Sequence, residues 1–417
     1  AQAWAGKHSS GSRRGSTSVE TERIVTKHLT IGANQIDPNT DVGQQALEQV
    51  HGLKAPVLCR CTSAGVPMYV ARLEERYIVK RMPGTGIDHA PDCSAFEPPE
   101  HLSGLSELQG SAISEEPEDG SVLLKLDFPL SKTGKRAAPP PPSGGQATEA
   151  ISNPRKMGLT GLLHYLWQEG ELTKWSPELE GQRKWRSVRS ALLNGAYGKK
   201  VKGFNLSAAL FVPEAFYATY KDEIAARHKA KLVSICSRSE TSKSVGIMIA
   251  EYKDHEPTRL GARFSFRHAP DITFFADADL LKRFEKVFEA KLALLDMIPD
   301  AKAITIVSFA MSRGGYPVLE QVDMMLVDKN WLPFEHMQEA ELLKVAVAQK
   351  RRFAKQLRYN LPASAVISSI VLNDSVPACA LFVVPPAAGA EEVGQFKTLV
   401  EETEFPTWLW SAETPMP

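Results

Sequence analysis

PVLCRCTSAGVPMYVARLEERYIVKRMPGTGIDHAPDC, residues 56–93, holds three of the five cysteines in a chain of 417 residues. VPMYVA and YIVKR read as two short strands, and RLEER between them as a turn. An antiparallel hairpin returns the chain to where it began. Cys59 and Cys61, just before the first strand, therefore meet His89 and Cys93, just after the second. His89 and Cys93 are four apart, a spacing that places two side chains on one face of a helical turn. The pattern is C-x-C-x27-H-x3-C. Three thiolates and an imidazole close a tetrahedral shell around Zn²⁺ and leave no position for a substrate water. The expected site is structural, with metal binding adding folding free energy to a hairpin too small to stand alone. His51 and His101 are alternatives for the fourth ligand. The plainer reading is a set of small buried apolar side chains beside a surface histidine.

The bulk numbers bound the rest. Lys plus Arg and Asp plus Glu are 49 each, so no global field draws the chain to nucleic acid, and any basic surface is local. Apolar residues are 43%, enough for real cores in several domains. No apolar run approaches the roughly 18 residues of a membrane span. The stretch AQAWAGKHSSGSRRGSTSVE has no apolar h-region. A reducing, cytoplasmic setting without membrane contact is expected. Cys236 and Cys379 lie in apolar runs and read as core.

Composition shifts divide the chain. Residues 1–20 are expected to be a disordered tail, and 21–130 the zinc-binding domain. Residues 131–156, rich in Pro and Gly, read as a linker. In 157–204, MGLTGLLHYLWQEG reads as one helix. SPELEGQRKWRSVRSALLNG reads as a second, capped by Ser176 and closed by Gly195. GKKVKGF then suggests a wing. Residues 205–330 are strand-rich, AKLVSIC included, around one long helix in ADADLLKRFEKVFEAKLALLDM. Residues 331–417 run α-β-β-β-α-β. The expected class is α+β multidomain. It comprises an N-terminal zinc-binding β-hairpin domain, a central winged-helix-like and antiparallel-sheet part, and a C-terminal nuclease-like domain.

C-x-C followed by R-M-P-G-T-G-x-x-H-x-x-x-C resembles an uncharacterised bacterial family with three N-terminal cysteines, met on conjugative plasmids and integrative elements. GLLHYLWQEGELTKW, VKGFNLSAALFVPEAF and the WLW ending are similar to later blocks of it. The resemblance implies a cytoplasmic protein of a bacterial mobile element and brings no established activity.

The C-terminal order also resembles the core of the PD-(D/E)XK nucleases. That chemistry needs an Asp on the second core strand and Glu-x-Lys on the third, so that carboxylates hold Mg²⁺ and water is activated. Ser368, Ser369 and Ile370 stand where Pro-Asp-Phe would stand, and Phe382 or Val383 where the Glu would be. Such side chains hold no hard cation, so an inactive copy is expected. Rearranged acids are the alternative: Glu339, Glu341 and Asp374, with Asp323 as a further candidate.

Nucleic acid, DNA first, is the expected partner, with other proteins of the same element as further partners. Arg183, Arg186 and Arg189 on the second helix, and Lys199, Lys200 and Lys202 in the wing, are the expected phosphate contacts. A solvated helix face is the ordinary alternative. Lys350, Arg351, Arg352, Lys355 and Arg358 form a second basic cluster. The expected function is a nucleic-acid-associated accessory protein with a structural zinc. A metal-dependent nuclease and a zinc-stabilised interaction scaffold are the alternatives.

Overall fold

VGIMIAE, residues 245–251, is apolar at almost every position, the pattern of a strand covered on both faces. A computed structural model describes residues 29–53, 57–73, 76–82, 84–116, 121–132, 155–238, 243–385, 388–404 and 406–410. In its strand Lys243–Thr258, Ile247 and Ile249 enter one core while Met248 and Ala250 enter another. The neighbouring strands keep the same period of two. Lys302–Met311 sends Ile304 and Ile306 to the first core and Ala303, Val307 and Phe309 to the second. Pro317–Val327 divides Met325 and Val327 from Met324 and Leu326 in the same way. With Gly261–Phe266 and Phe274–Asp277, these strands form a mostly antiparallel sheet that partitions the two cores.

Among the described residues there are seven α-helices: α1 (Asp41–Leu53), α2 (Leu159–Glu169), α3 (Trp185–Ala196), α4 (Lys221–Cys236), α5 (Ala278–Met297), α6 (Met337–Ala348) and α7 (Ala390–Glu402). Leu162, Leu163 and Leu166 of α2 and Val188 and Leu192 of α3 fill the first core. Ile235 of α4, Phe284 and Phe288 of α5 and Leu343 of α6 fill the second. Gly246 permits this packing, because a Cβ there would meet Phe309 at 2.5 Å and Ile235 at 2.8 Å.

Three expectations are corrected. AKLVSIC is the end of α4, not a strand: Ile224, His228, Leu232 and Ile235 are its buried positions, at helical spacing. The helix expected from Ser176 begins only at Trp185, after a 3₁₀ turn at Pro177–Leu179 and a left-handed Gly181 (φ 71). Gly195 lies inside α3 rather than beyond it. A Cβ there would sit 2.9 Å from the Leu166 carbonyl oxygen, so this glycine lets α2 and α3 approach closely.

The C-terminal elements follow the α-β-β-β-α-β order: α6, Phe353–Lys355, Ile370–Leu372, Cys379–Val383, α7 and Thr407–Trp410. The three middle strands are antiparallel, and the last runs parallel to Cys379–Val383. The far edge is completed by Lys174–Trp175, which pairs with Phe353–Lys355 across the expected boundary at 330. Similarly, Val122–Leu124 pairs in parallel with Lys199–Val201, across the expected linker. Residues 1–20 and most of that linker lie outside the described residues.

The N-terminal sheet runs Asn34–Gln35, Leu29–Ile31, Val57–Cys59, Val66–Leu73, Arg76–Arg81. The hairpin expected from VPMYVA and YIVKR is present, with Met68 opposite Arg81 and Leu73 opposite Arg76. Leu47 and Val50 of α1 pack with Leu29, Val57, Val66 and Met68 to form a small core that includes Cys59.

Candidate metal centre

Each ligand is placed by a specific local device. Val57–Cys59 ends at Cys59, which lies opposite Val66. The connection carrying Cys61 closes through Gly65 (φ 74), whose N–H donates to the Thr62 carbonyl at 3.1 Å. The chain leaves the hairpin at Arg81 and makes a 3₁₀ turn at Gly86–Asp88. His89 follows in extended backbone (φ −77, ψ 153). His89 and Cys93 therefore do not share a helical turn. They are joined by a tight turn in which the Cys93 N–H donates to the Ala90 carbonyl at 2.8 Å.

These devices converge. Cys59 Sγ lies 3.7 Å from Cys93 Sγ, His89 Nδ1 lies 3.3 Å from Cys61 Sγ, and His89 Nδ1 lies 3.8 Å from Cys93 Sγ. All ligand atoms of Cys59, Cys61, His89 and Cys93 fall within 4.8 Å of one another. A tetrahedral zinc with bonds of about 2.3 Å to sulfur and about 2.0 Å to nitrogen has edges of about 3.8 Å between sulfurs and about 3.5 Å between sulfur and nitrogen. The separations match those edges. The donor set, soft thiols with one imidazole, suits a borderline-soft divalent cation. Four protein ligands leave no open position.

The surroundings fit the same use. Backbone N–H groups of Ala90 and Ala95 donate to Cys61 Sγ and Cys93 Sγ, both at 3.4 Å, which favours thiolate over thiol. Burial pushes the Cys59 thiol up and that of Cys93 to about 12, and lowers the His89 imidazole. A cation bound among them reverses that preference for neutral thiols. His51 faces the Tyr77 ring at 5.3 Å instead, and His101 lies in a separate 3₁₀ turn; neither joins the cluster.

The candidate acids do not converge. Glu339 is buried, and its carboxylate accepts from Lys355 at 2.8 Å and from the Glu335 N–H at 2.8 Å. Glu341 is half-exposed beside Lys344. Asp374 is held by Arg351 at 2.9 Å and by the Arg352 N–H at 2.8 Å. Asp323 accepts from Thr160 and from its neighbour Met324. Ser368, Ser369, Phe382 and Val383 are buried in the C-terminal sheet, with the Ser368 hydroxyl donating to the carbonyls of Ile370 and Leu381. Among the described residues, the cysteine cluster is the only metal-capable group of His, Cys, Asp and Glu.

Half of the expected phosphate contacts serve the fold instead. Arg183 donates to the carbonyls of Leu172 (2.9 Å), Lys174 and Asn330 (3.5 Å). Its guanidinium lies 5.6 Å from the Trp175 ring centre, and burial lowers its pKa to about 10. Arg189 donates to the Val212 carbonyl at 2.9 Å. Lys199 is buried, paired with Glu169 and 5.5 Å from the Tyr165 ring centre. Arg186 and Lys202 are exposed and Lys200 half-buried. In the second cluster, Arg351, Arg352, Lys355 and Arg358 pair with Asp374, Glu178, Glu339 and Glu335.

Sequence reading missed the segment after the last ligand. Phe96 and Leu102, lone apolar residues in FEPPEHLSG, are buried against Val371, Ala380 and Phe382 of the C-terminal sheet. Their isolation in a polar run was the available signal. A cavity of about 600 Å³ between α4 and the turn at Gly315–Pro317 touches none of the candidate metal-site residues.

The family described as "Protein of unknown function (DUF1173)" matches residues 29–413. No curated protein and no solved structure matches the chain. No described helix is long and apolar enough to cross a membrane.

Proposed function

The chain belongs to this family of unknown function, and we propose that it is a zinc-stapled, nucleic-acid-associated accessory protein of a bacterial mobile element. The observation that carries the reading is the convergence of Cys59, Cys61, His89 and Cys93 at tetrahedral spacing. Zinc is the ion that best suits three thiolates and an imidazole in a closed shell, where it contributes to folding rather than turnover. The nucleic-acid part rests on the C-terminal element order α-β-β-β-α-β, in which α7 connects the third strand to a last strand parallel to it. That order is the one expected of the nuclease-like core. Glu339 on α6 engages Lys355, and Phe382 stands on the third strand, so binding without cutting is the role this module supports.

Metal analysis by mass spectrometry tests the staple: one zinc per chain is expected, and a purified chain without metal that takes up none overturns it. A gel shift with single- and double-stranded DNA and RNA, repeated across salt, tests the nucleic-acid part. A zinc-stabilised protein scaffold is the second reading, favoured by the internal use of Arg183, Arg189 and Lys199. Absence of any salt-dependent shift decides for it. Cleavage of plasmid in Mg²⁺ or Mn²⁺ that Glu341→Ala abolishes decides for a nuclease instead.

A further inference from the structure

We infer that the metal centre is the clasp of a strap, residues 94–104, that covers one face of the C-terminal sheet, so that metal occupancy and burial of that face are coupled. The inference rests on the metal reading above. Cys93 is the hinge of the argument: it packs at the edge of the N-terminal core and also at the edge of the cluster formed by Phe96, Leu102, Val371, Ala378, Ala380, Phe382 and Phe396. One ligand thus touches both bodies. Directly after it the strap is pinned along its length. The Glu97 N–H donates to the Gly86 carbonyl at 3.2 Å, and the Glu97 carboxylate meets Arg81 at 2.6 Å, both in the metal-bearing region. Lys174 Nζ donates to the Ser94 carbonyl at 2.7 Å. At the far end the Ser368 N–H donates to the Leu102 carbonyl at 2.9 Å, and the Gly104 N–H to the Leu357 carbonyl at 3.0 Å. A Cβ on Gly104 would lie 1.9 Å from the Arg358 carbonyl oxygen, so backbone sits directly on backbone there.

Phe96 and Leu102 are 4% and 0% exposed, and the strap between them contains no helix longer than a 3₁₀ turn. Such a segment has few local bonds of its own, so its order depends on its two anchors. The metal fixes one anchor and the C-terminal sheet the other. Linkage then requires reciprocity: whatever loosens the sheet contact weakens the metal, and removal of the metal loosens the sheet contact.

Hydrogen exchange on the full chain, read by mass spectrometry with zinc bound and after its removal with EDTA, tests the coupling. Exchange is expected to rise by about tenfold or more, a typical coupling magnitude, in residues 94–104 and in the strands Ile370–Leu372 and Cys379–Val383. Lys302–Met311 and Pro317–Val327 are expected to stay unchanged. Zinc uptake followed by unchanged exchange in the C-terminal strands overturns the clasp and leaves the zinc centre standing. Loss of protection in every strand together also overturns it, since the metal would then support the whole fold. A chain that takes up no zinc overturns the centre and the clasp with it. The reverse direction uses Leu102→Ala, a residue of the C-terminal cluster that is not itself a candidate ligand: its zinc affinity is expected to fall roughly fivefold or more, and an affinity equal to that of the unaltered chain overturns the clasp.

Discussion

The two ends of the chain each hold candidate metal-binding side chains, expected ligands at the first end and only alternative ones at the second, and only the first end brings them together. At the N-terminal hairpin, four ligand atoms share one small volume. At the C-terminal sheet, Glu339, Glu341 and Asp374 are each drawn to a different cation: Lys355, Lys344 and Arg351. The difference is topological. A hairpin forces the residues flanking it to meet whatever else the fold does. The acids lie on a helix and a loop, with nothing that aims them at a common point. Convergence follows from a constraint in the backbone and not from the mere presence of the right residue types.

The largest effect that tests this contrast is loss of a ligand. Cys61→Ala is expected to abolish stoichiometric zinc, checked by metal analysis. Structural zinc sites are worth about 10 kcal/mol or more in small domains, so the N-terminal sheet should lose most of its protection. Full metal content in this variant removes the N-terminal half of the contrast. The C-terminal half is tested by Lys355→Ala. Lys355 and Glu339 have side chains 3% and 5% exposed, so the substitution leaves a buried carboxylate without its cation. A cost of about 3–5 kcal/mol in urea unfolding is expected, with much of it recovered in Lys355→Met/Glu339→Gln. A cost under about 0.5 kcal/mol, the size of an ordinary surface change, shows that the pair is not a structural one.

Much of this layout was legible from local pattern. VPMYVA and YIVKR predicted the hairpin because each is a short strand with a turn between them, and the convergence of Cys59, Cys61, His89 and Cys93 followed from its geometry, with a tight turn in place of the expected helical one between His89 and Cys93. The order of elements from α6 onward was equally visible, though the short strand Pro333–Phe334 before it was not. What local pattern does not carry is pairing over long distances. Nothing in KW at 174–175 reveals that it will extend a sheet begun at Phe353. Arginines on a helix face read as solvated, yet Arg183 turns back to the carbonyls of Leu172 and Lys174, because the 3₁₀ turn before α3 brings them within reach. AKLVSIC reads as a strand when taken alone and as a helix once Ile224 and His228 are counted with it.

A middle-sized effect comes from His164, on α2 between the two ends. It is buried, its Nδ1 accepts from the Tyr359 N–H at 2.9 Å, and burial lowers its pKa from 6.5 to about 3. Between those values the unfolded chain binds a proton that the folded chain refuses. The contribution of neutral His164 is therefore complete above pH 6.5 and declines as pH falls toward 3. The decline is about 1.4 kcal/mol per pH unit once well below the upper value. Stability measured from pH 7 to pH 4 should flatten in His164→Asn, whose amide oxygen can accept the same bond. Parallel curves for the two proteins assign the acid sensitivity to another group.

The smallest expected change in stability belongs to the exposed basic pair, and it bears directly on the nucleic-acid reading. Arg186 and Lys202 are exposed, whereas Arg183 is committed to three carbonyls. Arg186→Ala/Lys202→Ala should leave unfolding within about 0.5 kcal/mol of the starting protein, as surface changes do. Arg183→Ala leaves those buried carbonyls without a donor and should cost roughly 1–3 kcal/mol. If α3 and the turn after it lie along a nucleic-acid backbone, the double variant loses two phosphate contacts. The slope of log affinity against log salt then falls by about 1.8 on duplex DNA. A slope that does not move, in a protein of unchanged stability, places any nucleic-acid contact away from this face. The internal bonds of Arg183, Arg189 and Lys199 then remain the better explanation of why the segment is so basic.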